Sequence, residues 1–314
     1  MNFKQENEIG INTINVISVT VLKNKNLCLC CISELDIRVY DYFVQLVDIF
    51  QGKTLTYLRD TKYNAPIITI KELDNGNLVA TAKYINMLLF FNISNLNNII
   101  IDYLEVGVHA RSVVQLKNNE IGVAMDNKII KIYSSDKPYT LRNEIKNPFG
   151  IVDWFHYMKS KDILFCNSRF RMWNDLMIYD MTTKQKKVHF AKLECFYKDA
   201  IIELNDDKVV VVQSKELNIM NVNTFSIERR IILDGMKFGR EYTFHDKLLR
   251  RFFLFGNKVL FLMIRELGEI NIEDGTIDSY PYRFNIIAKD MKRISENQFV
   301  LYNEDSVKLY SIIG

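Results

Sequence analysis

The chain has 314 residues, 48% of them hydrophobic and 25% charged, an ordinary globular composition that excludes collagen, coiled coil and a disordered chain. Its 41 Lys and Arg against 38 Asp and Glu leave a formal net charge of +3, too weak a bulk field for avid non-specific binding to nucleic acid. Gly and Pro number only 12 and 4, while Asn is about one residue in ten, so Asn is expected in many turns where Gly usually serves.

Residues 1–10 are polar and carry charges of both signs, unlike a secretory leader. No apolar run approaches the roughly 20 residues of a membrane-spanning helix. A soluble, intracellular and cytoplasmic protein without a membrane span is the expectation.

From there a unit of about 45 residues repeats seven times. Each unit is an apolar strand, a short polar turn, a second apolar strand, another turn, and a third strand ending in an apolar or aromatic residue followed by Asp, Asn or Ser. The first turns read Lys23 to Asn26, Asp74 to Asn77, Lys117 to Glu120, Lys159 to Asp162, Asn205 to Lys208, Phe255 to Lys258 and Ser295 to Gln298. The third strands end at Tyr40-Asp41, Phe91-Asn92, Tyr133-Ser134, Tyr179-Asp180, Met220-Asn221, Ile270-Asn271 and Tyr310-Ser311. A more polar stretch follows, as in Lys184 to Phe190 and Thr224 to Leu233, and reads as a solvent-facing fourth strand. The seventh copy stops too early to have one, and residues 2–11 precede the first copy without a partner. The period and the count predict an all-β chain, 1–314 as a single domain. The expected fold is a seven-bladed β-propeller of four-stranded blades, its ring closed by the N-terminal strand.

The five cysteines are odd in number and crowd at Cys28, Cys30 and Cys31, with Cys166 and Cys195 apart. Cys28 and Cys30 alternate with Leu27 and Leu29, and no His or second Cys pair stands at zinc spacing, so buried strand positions are expected rather than disulfides or a metal site.

Several residues carry a resemblance to a known family. Tyr40-Asp41 and Tyr179-Asp180 stand where WD-repeat β-propellers have Trp-Asp, and His109 and His245 stand where they have the His of Gly-His. The chain resembles that family over its whole length, divergently: neither Trp-Asp nor Gly-His occurs. The His, Ser or Thr, Trp and Asp hydrogen-bond network that the resemblance would imply is therefore not intact, and blade cohesion is expected to rest mainly on apolar packing.

Catalysis has few parts here. The histidines are His109, His156, His189 and His245, and no Gly-x-Ser-x-Gly elbow, His-Glu-x-x-His or phosphate-cradling Gly-rich loop occurs. A non-enzymatic protein with no cofactor and no metal is expected. The resemblance implies that the loops into each first strand and the turns between second and third strands gather on one face. There the sequence sets Arg beside aromatic residues, the composition of a recognition surface. The partner-binding candidates are Arg59, Arg111, Trp154, Arg169, Arg171, Trp173, Arg240, Tyr242 and Arg283. Asn167 to Asp175 reads as an expanded loop and is the best single candidate, the alternative being an ornamented hairpin. Acids such as Asp60, Asp153, Glu194, Asp199 and Glu241 are an alternative fate for the arginines.

The expected function is a scaffold recognising a peptide segment of another protein, acidic or phosphorylated, within a multiprotein assembly. A ligand-binding or enzymatic central channel is the alternative. A further one is phosphoinositide or nucleic-acid binding through basic patches such as Arg250-Arg251, against which the near-neutral charge weighs.

Overall fold

The structure, a computed structural model, describes residues 2–10, 15–36, 39–60, 62–97, 99–170, 173–193, 200–213, 216–233, 237–238, 242–243, 251–262 and 266–313. All described regular structure is β, in seven four-stranded antiparallel sheets and one two-stranded hairpin, Lys237–Phe238 with Tyr242–Thr243. The chain forms two compact units, one of Ile9–Ala191 with Glu304–Ser306, the other of Met1–Glu8, Lys192–Asn303 and Val307–Gly314.

The first unit holds four sheets in chain order. The first is Asn15–Val21, Leu27–Asp36, Val39–Asp48 and Lys53–Arg59, and the second Ile67–Glu72, Leu78–Ala82, Met87–Asn92 and Ile100–Glu105. The third is Ala110–Gln115, Glu120–Met125, Ile129–Ser134 and Leu141–Lys146, and the fourth Ile151–Met158, Ile163–Phe170, Trp173–Asp180 and Gln185–Leu193. The other unit holds a fifth sheet, Ile201–Asn205 to Ile227–Ile232, a sixth, Arg251–Phe255 to Ile277–Arg283, and a seventh. The seventh is Asp290–Ser295, Gln298–Tyr302 and Ser306–Ile313, with Asn2–Gly10 hydrogen-bonded to Ser306–Ile313 as its fourth strand.

Second strands are buried over most of their length because apolar side chains cover both faces, Leu78–Ala82 at every position, while the far ends of Leu27–Asp36 and Ile163–Phe170 expose Glu34 and Arg169. Fourth strands are polar and exposed, as in Leu141–Lys146, where only Ile145 is buried. Between the first and second sheets, Cys28, Cys30, Val44 and Leu46 pack with Ile70, Leu78, Leu89 and Phe91. Between the third and fourth, Ala124, Ile130 and Ile132 pack with Leu164, Cys166, Met177 and Tyr179. Each such aliphatic or aromatic side chain contributes roughly 1.5–3 kcal/mol by leaving water, and their sum holds the sheets together. Cys31 is buried as well, and burial pushes the Cys28, Cys31 and Cys166 thiols above their ordinary value, so these are inert packing groups. Cys195 lies outside the described residues.

The first copy departs from the sequence reading. Tyr40 and Asp41 open the third strand instead of closing it, and the strand ends at Val47-Asp48. The sequence reading set the register short because this copy's second and third strands are ten residues each and pair out to Asp36 with Val39, which puts Tyr40-Asp41 beside the turn that joins them. The fourth copy lengthens its first three strands, to eight residues each. Asn167 to Asp175 is no expanded loop but the far end of a regular hairpin, with Asn167 opposite Leu176, Ser168 opposite Asp175 and Arg169 opposite Asn174.

The turns between first and second strands meet at Asp74. Its carboxylate accepts from Lys23 Nζ at 3.3 Å and Lys159 Nζ at 3.2 Å, and Lys23 Nζ also donates to the Leu73 carbonyl. The hydrogen bond from Lys159, then that from Lys23, holds the Asp74 carboxyl below its usual value, against the opposing effect of burial. A depressed carboxylate stabilises the fold above its unfolded value and loses that contribution as pH falls through the folded one. The urea midpoint of the wild type is therefore expected to fall between pH 5 and about 3 more steeply than that of Asp74→Asn, and parallel curves would refute the assignment.

Candidate functional site

Antiparallel order puts the loops entering each first strand and the turns between second and third strands at one end of every sheet, here the upper end. In the third and fourth sheets four charged groups converge there. Arg111 is the second residue of Ala110–Gln115, and Asp126 follows Glu120–Met125 directly. Asp153 lies in Ile151–Met158, and Arg169 is the penultimate residue of Ile163–Phe170. Arg111 Nε donates to Asp126, Arg111 Nη1 donates to Asp153 Oδ1 at 3.0 Å, and Arg169 Nε lies 3.1 Å from Asp153 Oδ2. His109 Nδ1 sits 3.1 Å from Asp126 Oδ2.

Asp126, Arg111, Asp153 and Arg169 alternate in sign, with His109 against Asp126, so Arg111 is consumed by two carboxylates and braces the third sheet against the fourth. That corrects the expectation of Arg111 as a contact residue: its guanidinium is part-buried between acids that neutralise it. Arg169 differs, being 52% exposed, with Asp153 engaging one side of its guanidinium. Arg59 is 56% exposed, lies 3.3 Å from Asp41 and sits 5.2 Å over the Phe43 ring. Each leaves a planar fork turned to water, suited to a second carboxylate or a phosphate.

Trp154 is a further correction. It is buried in a first strand opposite Asn167, on a layer with packing on both faces, and is core rather than a surface anchor. Arg171 and Arg240 lie outside the described residues, as do His245 and Arg250. Trp173, Tyr242 and Arg283 have backbones in Trp173–Asp180, Tyr242–Thr243 and Ile277–Arg283, and their side chains lie outside what is described.

Asp60, in the loop into the second sheet, caps its own loop. Oδ1 accepts from the Lys62 and Tyr63 amides and from Tyr103 Oη at 2.8 Å. Burial and then the Asp60 hydrogen bond push the Tyr103 phenol above its ordinary value. Lys62 Nζ lies over the Tyr63 and Tyr103 rings at 4.8 and 5.0 Å.

Sequence reasoning missed a buried polar knot in the fourth sheet. Asn147 Nδ2 donates to the Gly150 carbonyl at 3.0 Å and to Ser168 Oγ at 2.8 Å, while its Oδ1 accepts from Tyr179 Oη at 3.5 Å. In the seventh sheet Tyr310 Oη donates to Asn285 Oδ1 at 3.0 Å. Loop Asn and strand-ending Tyr thus tie these sheets by hydrogen bonds, as His109 with Asp126 does in the third. Cohesion is not apolar alone. The available signal was an Asn upstream of the strand-ending Tyr, 32 residues before Tyr179 and 25 before Tyr310.

No protein-family model matches the sequence, and no curated protein matches it. Many solved structures resemble it, among them two that match over nearly their whole length. The WD40 domain of Neurospora crassa Pan2 has a TM-score of 0.72 at 8% identity, covering 99% of this chain and 96% of that one. A catalytically inactive virginiamycin B lyase from Staphylococcus aureus, with quinupristin, has a TM-score of 0.72 at 12% identity, covering 99% and 100%. The fold is a WD-repeat-like seven-bladed β-propeller. The seven sheets are its blades, and Asn2–Gly10 completes the seventh. Among the described residues no helix is long and apolar enough to cross a membrane, and no cluster of His, Cys, Asp or Glu is placed to hold a metal ion.

Proposed function

We propose that this propeller is a non-catalytic interaction scaffold whose upper loops capture an acidic or phosphorylated segment of a partner protein within a larger intracellular assembly. The observation that carries the reading is the contrast between Arg111, locked between Asp126 and Asp153, and Arg169 and Arg59, each more than half exposed and, among the described residues, paired with one acid. Such an arrangement fixes a guanidinium in place and leaves donors for a ligand, and charge-assisted hydrogen bonds of this kind contribute about 1.5–3 kcal/mol each. The two paired histidines serve packing: His109 is joined to Asp126, and His189 is joined to Asp175 under the Phe149 ring.

The test is capture of partners by the tagged protein from its own cells, wild type against Arg59→Glu with Arg169→Glu. Loss of specific partners at an unchanged melting temperature is expected, with at least a tenfold fall in affinity for whichever partner is purified. Unchanged capture would refute the site. The likeness to a lyase gives a second reading, a ligand-binding or enzymatic propeller, which a small molecule copurifying with the native protein would favour.

A further inference from the structure

The turn between the second and third strands of the second blade carries Tyr84, and its ring is 79% exposed. Its backbone is left-handed, with φ at 67°. That region disfavours a bulky side chain and is readily filled by Asn or Gly. Of the ten described non-glycine residues at positive φ, three are Asn, at 43°, 57° and 53° (Asn64, Asn118 and Asn119), three are Lys, and the aromatic Phe225, at 55°, is only partly exposed.

Tyr139 has the same backbone conformation, at φ 55°, but its ring stacks on Phe90 at 4.0 Å, which explains the aromatic there. Tyr84 has no such explanation. The one ring contact it makes among the described residues is with Lys83, whose Nζ sits 4.9 Å over it. The turn is held in place by the Lys83 amide, which donates to the Pro66 carbonyl at 2.7 Å. An anchored left-handed turn that holds a large ring in water gains little for the fold beyond this exposed cation–π contact.

The geometry points to Tyr84 as a binding anchor, presented with Lys83 to a partner segment that carries apolar side chains among carboxylates. Tyr offers a large, rigid contact area at low entropic cost, and Lys83 supplies the charge complementarity that selects acidic neighbours. This rests on the scaffold reading and names a contact at the same end of the blades, independent of the arginines. The anchor lies on the second blade, whereas the exposed arginines lie on the first and fourth.

Two measurements test it. Tyr84→Asn is expected to raise the melting temperature by about 1–2 °C, because Asn relieves the backbone, and a fall would show that the ring serves the fold and overturn the inference. The second is fluorescence anisotropy with a short labelled peptide of Leu and Phe set among Glu, beside its Lys-for-Glu counterpart. The acidic peptide is expected to bind, with affinity reduced at least tenfold by Tyr84→Asn and by Lys83→Glu. No binding of the acidic peptide, equal binding of the two peptides, or indifference to Tyr84→Asn would each overturn it. Loss in Tyr84→Asn with retention in the arginine double variant is the expected pattern and supports the anchor, whatever the capture test says of the arginines. The reverse pattern would remove the anchor alone.

Discussion

Deleting residues 2–10 is expected to leave a chain that does not fold to a cooperative native state. Asn2–Gly10 is the fourth strand of the seventh blade, and its Phe3 is buried against Phe284 and Phe299, at ring separations of 5.6 and 6.0 Å. Ile9 is buried further along. Phe3→Ala alone is expected to cost about 3–5 kcal/mol. The deletion also strips the backbone partners of Ser306–Ile313 and the Glu8 carboxylate from Lys308, a nearly buried ammonium 3.3 Å away. Together these approach the roughly 5–15 kcal/mol that holds a typical domain folded. Circular dichroism melting of the deleted protein should show a broad or absent transition. A synthetic peptide of residues 1–12 added in trans should restore part of it by strand addition. A sharp transition within a few degrees of the wild type would show that the strand is dispensable.

The second large effect is expected at the knot of the fourth blade. Gly150 has φ at 144°, and a Cβ built there would lie 2.5 Å from the carbonyl oxygen of Arg169. Gly150→Ala must therefore displace the backbone of the hairpin end that carries Arg169. The Gly150 carbonyl is also an acceptor of Asn147, which is 1% exposed. Asn147→Ala would leave Ser168 Oγ and Tyr179 Oη without their partner, and each orphaned buried group costs about 1–3 kcal/mol. Either variant is expected to lose about 3 kcal/mol or more in urea unfolding. Asn147→His, whose ring can reach both hydroxyls, is expected to lose less than Asn147→Ala. Equal losses would mean that volume, not hydrogen bonding, governs the position. Gly150→Ala should in addition weaken partner capture, because Arg169 moves with the hairpin, whereas Asn147→His should leave capture intact.

The architecture was legible because its signal is a period. All seven first turns fall where the sequence placed them, five of the seven third strands end at the expected residue, and the seventh runs two residues past it to Ile313. The N-terminal strand was legible by elimination, since only the last copy lacked an outer strand. What failed was local length. Extra residues in the second and third strands of the first blade still alternate as a strand should, so nothing in the pattern marked where Val39–Asp48 began, and Tyr40-Asp41 passed for an ending. The site was legible only in part. Composition pointed to Arg59 and Arg169, but whether an arginine is free or consumed depends on acids brought from other strands. Asp126 and Asp153 reach Arg111 from 15 and 42 residues away. Trp154 was misjudged because a tryptophan near a loop reads as an anchor until its strand is known to be covered on both faces. Tyr84 was invisible because its oddity lies in a dihedral angle.

The pairing of Asn2–Gly10 with Ser306–Ile313 also sets an order of assembly. Of the propeller's own strands, the earliest in the sequence docks onto the latest. The segment with Phe3 waits without its sheet until the seventh blade has been made, while blades built from neighbouring residues can close as they emerge. Docking the two ends is the contact of greatest sequence separation, and loop-closure entropy places such contacts late and makes them slow. The polar alternation of Asn2–Gly10, with exposed Asn2, Lys4 and Gly10 around its two buried apolar residues, suits a strand that waits in water.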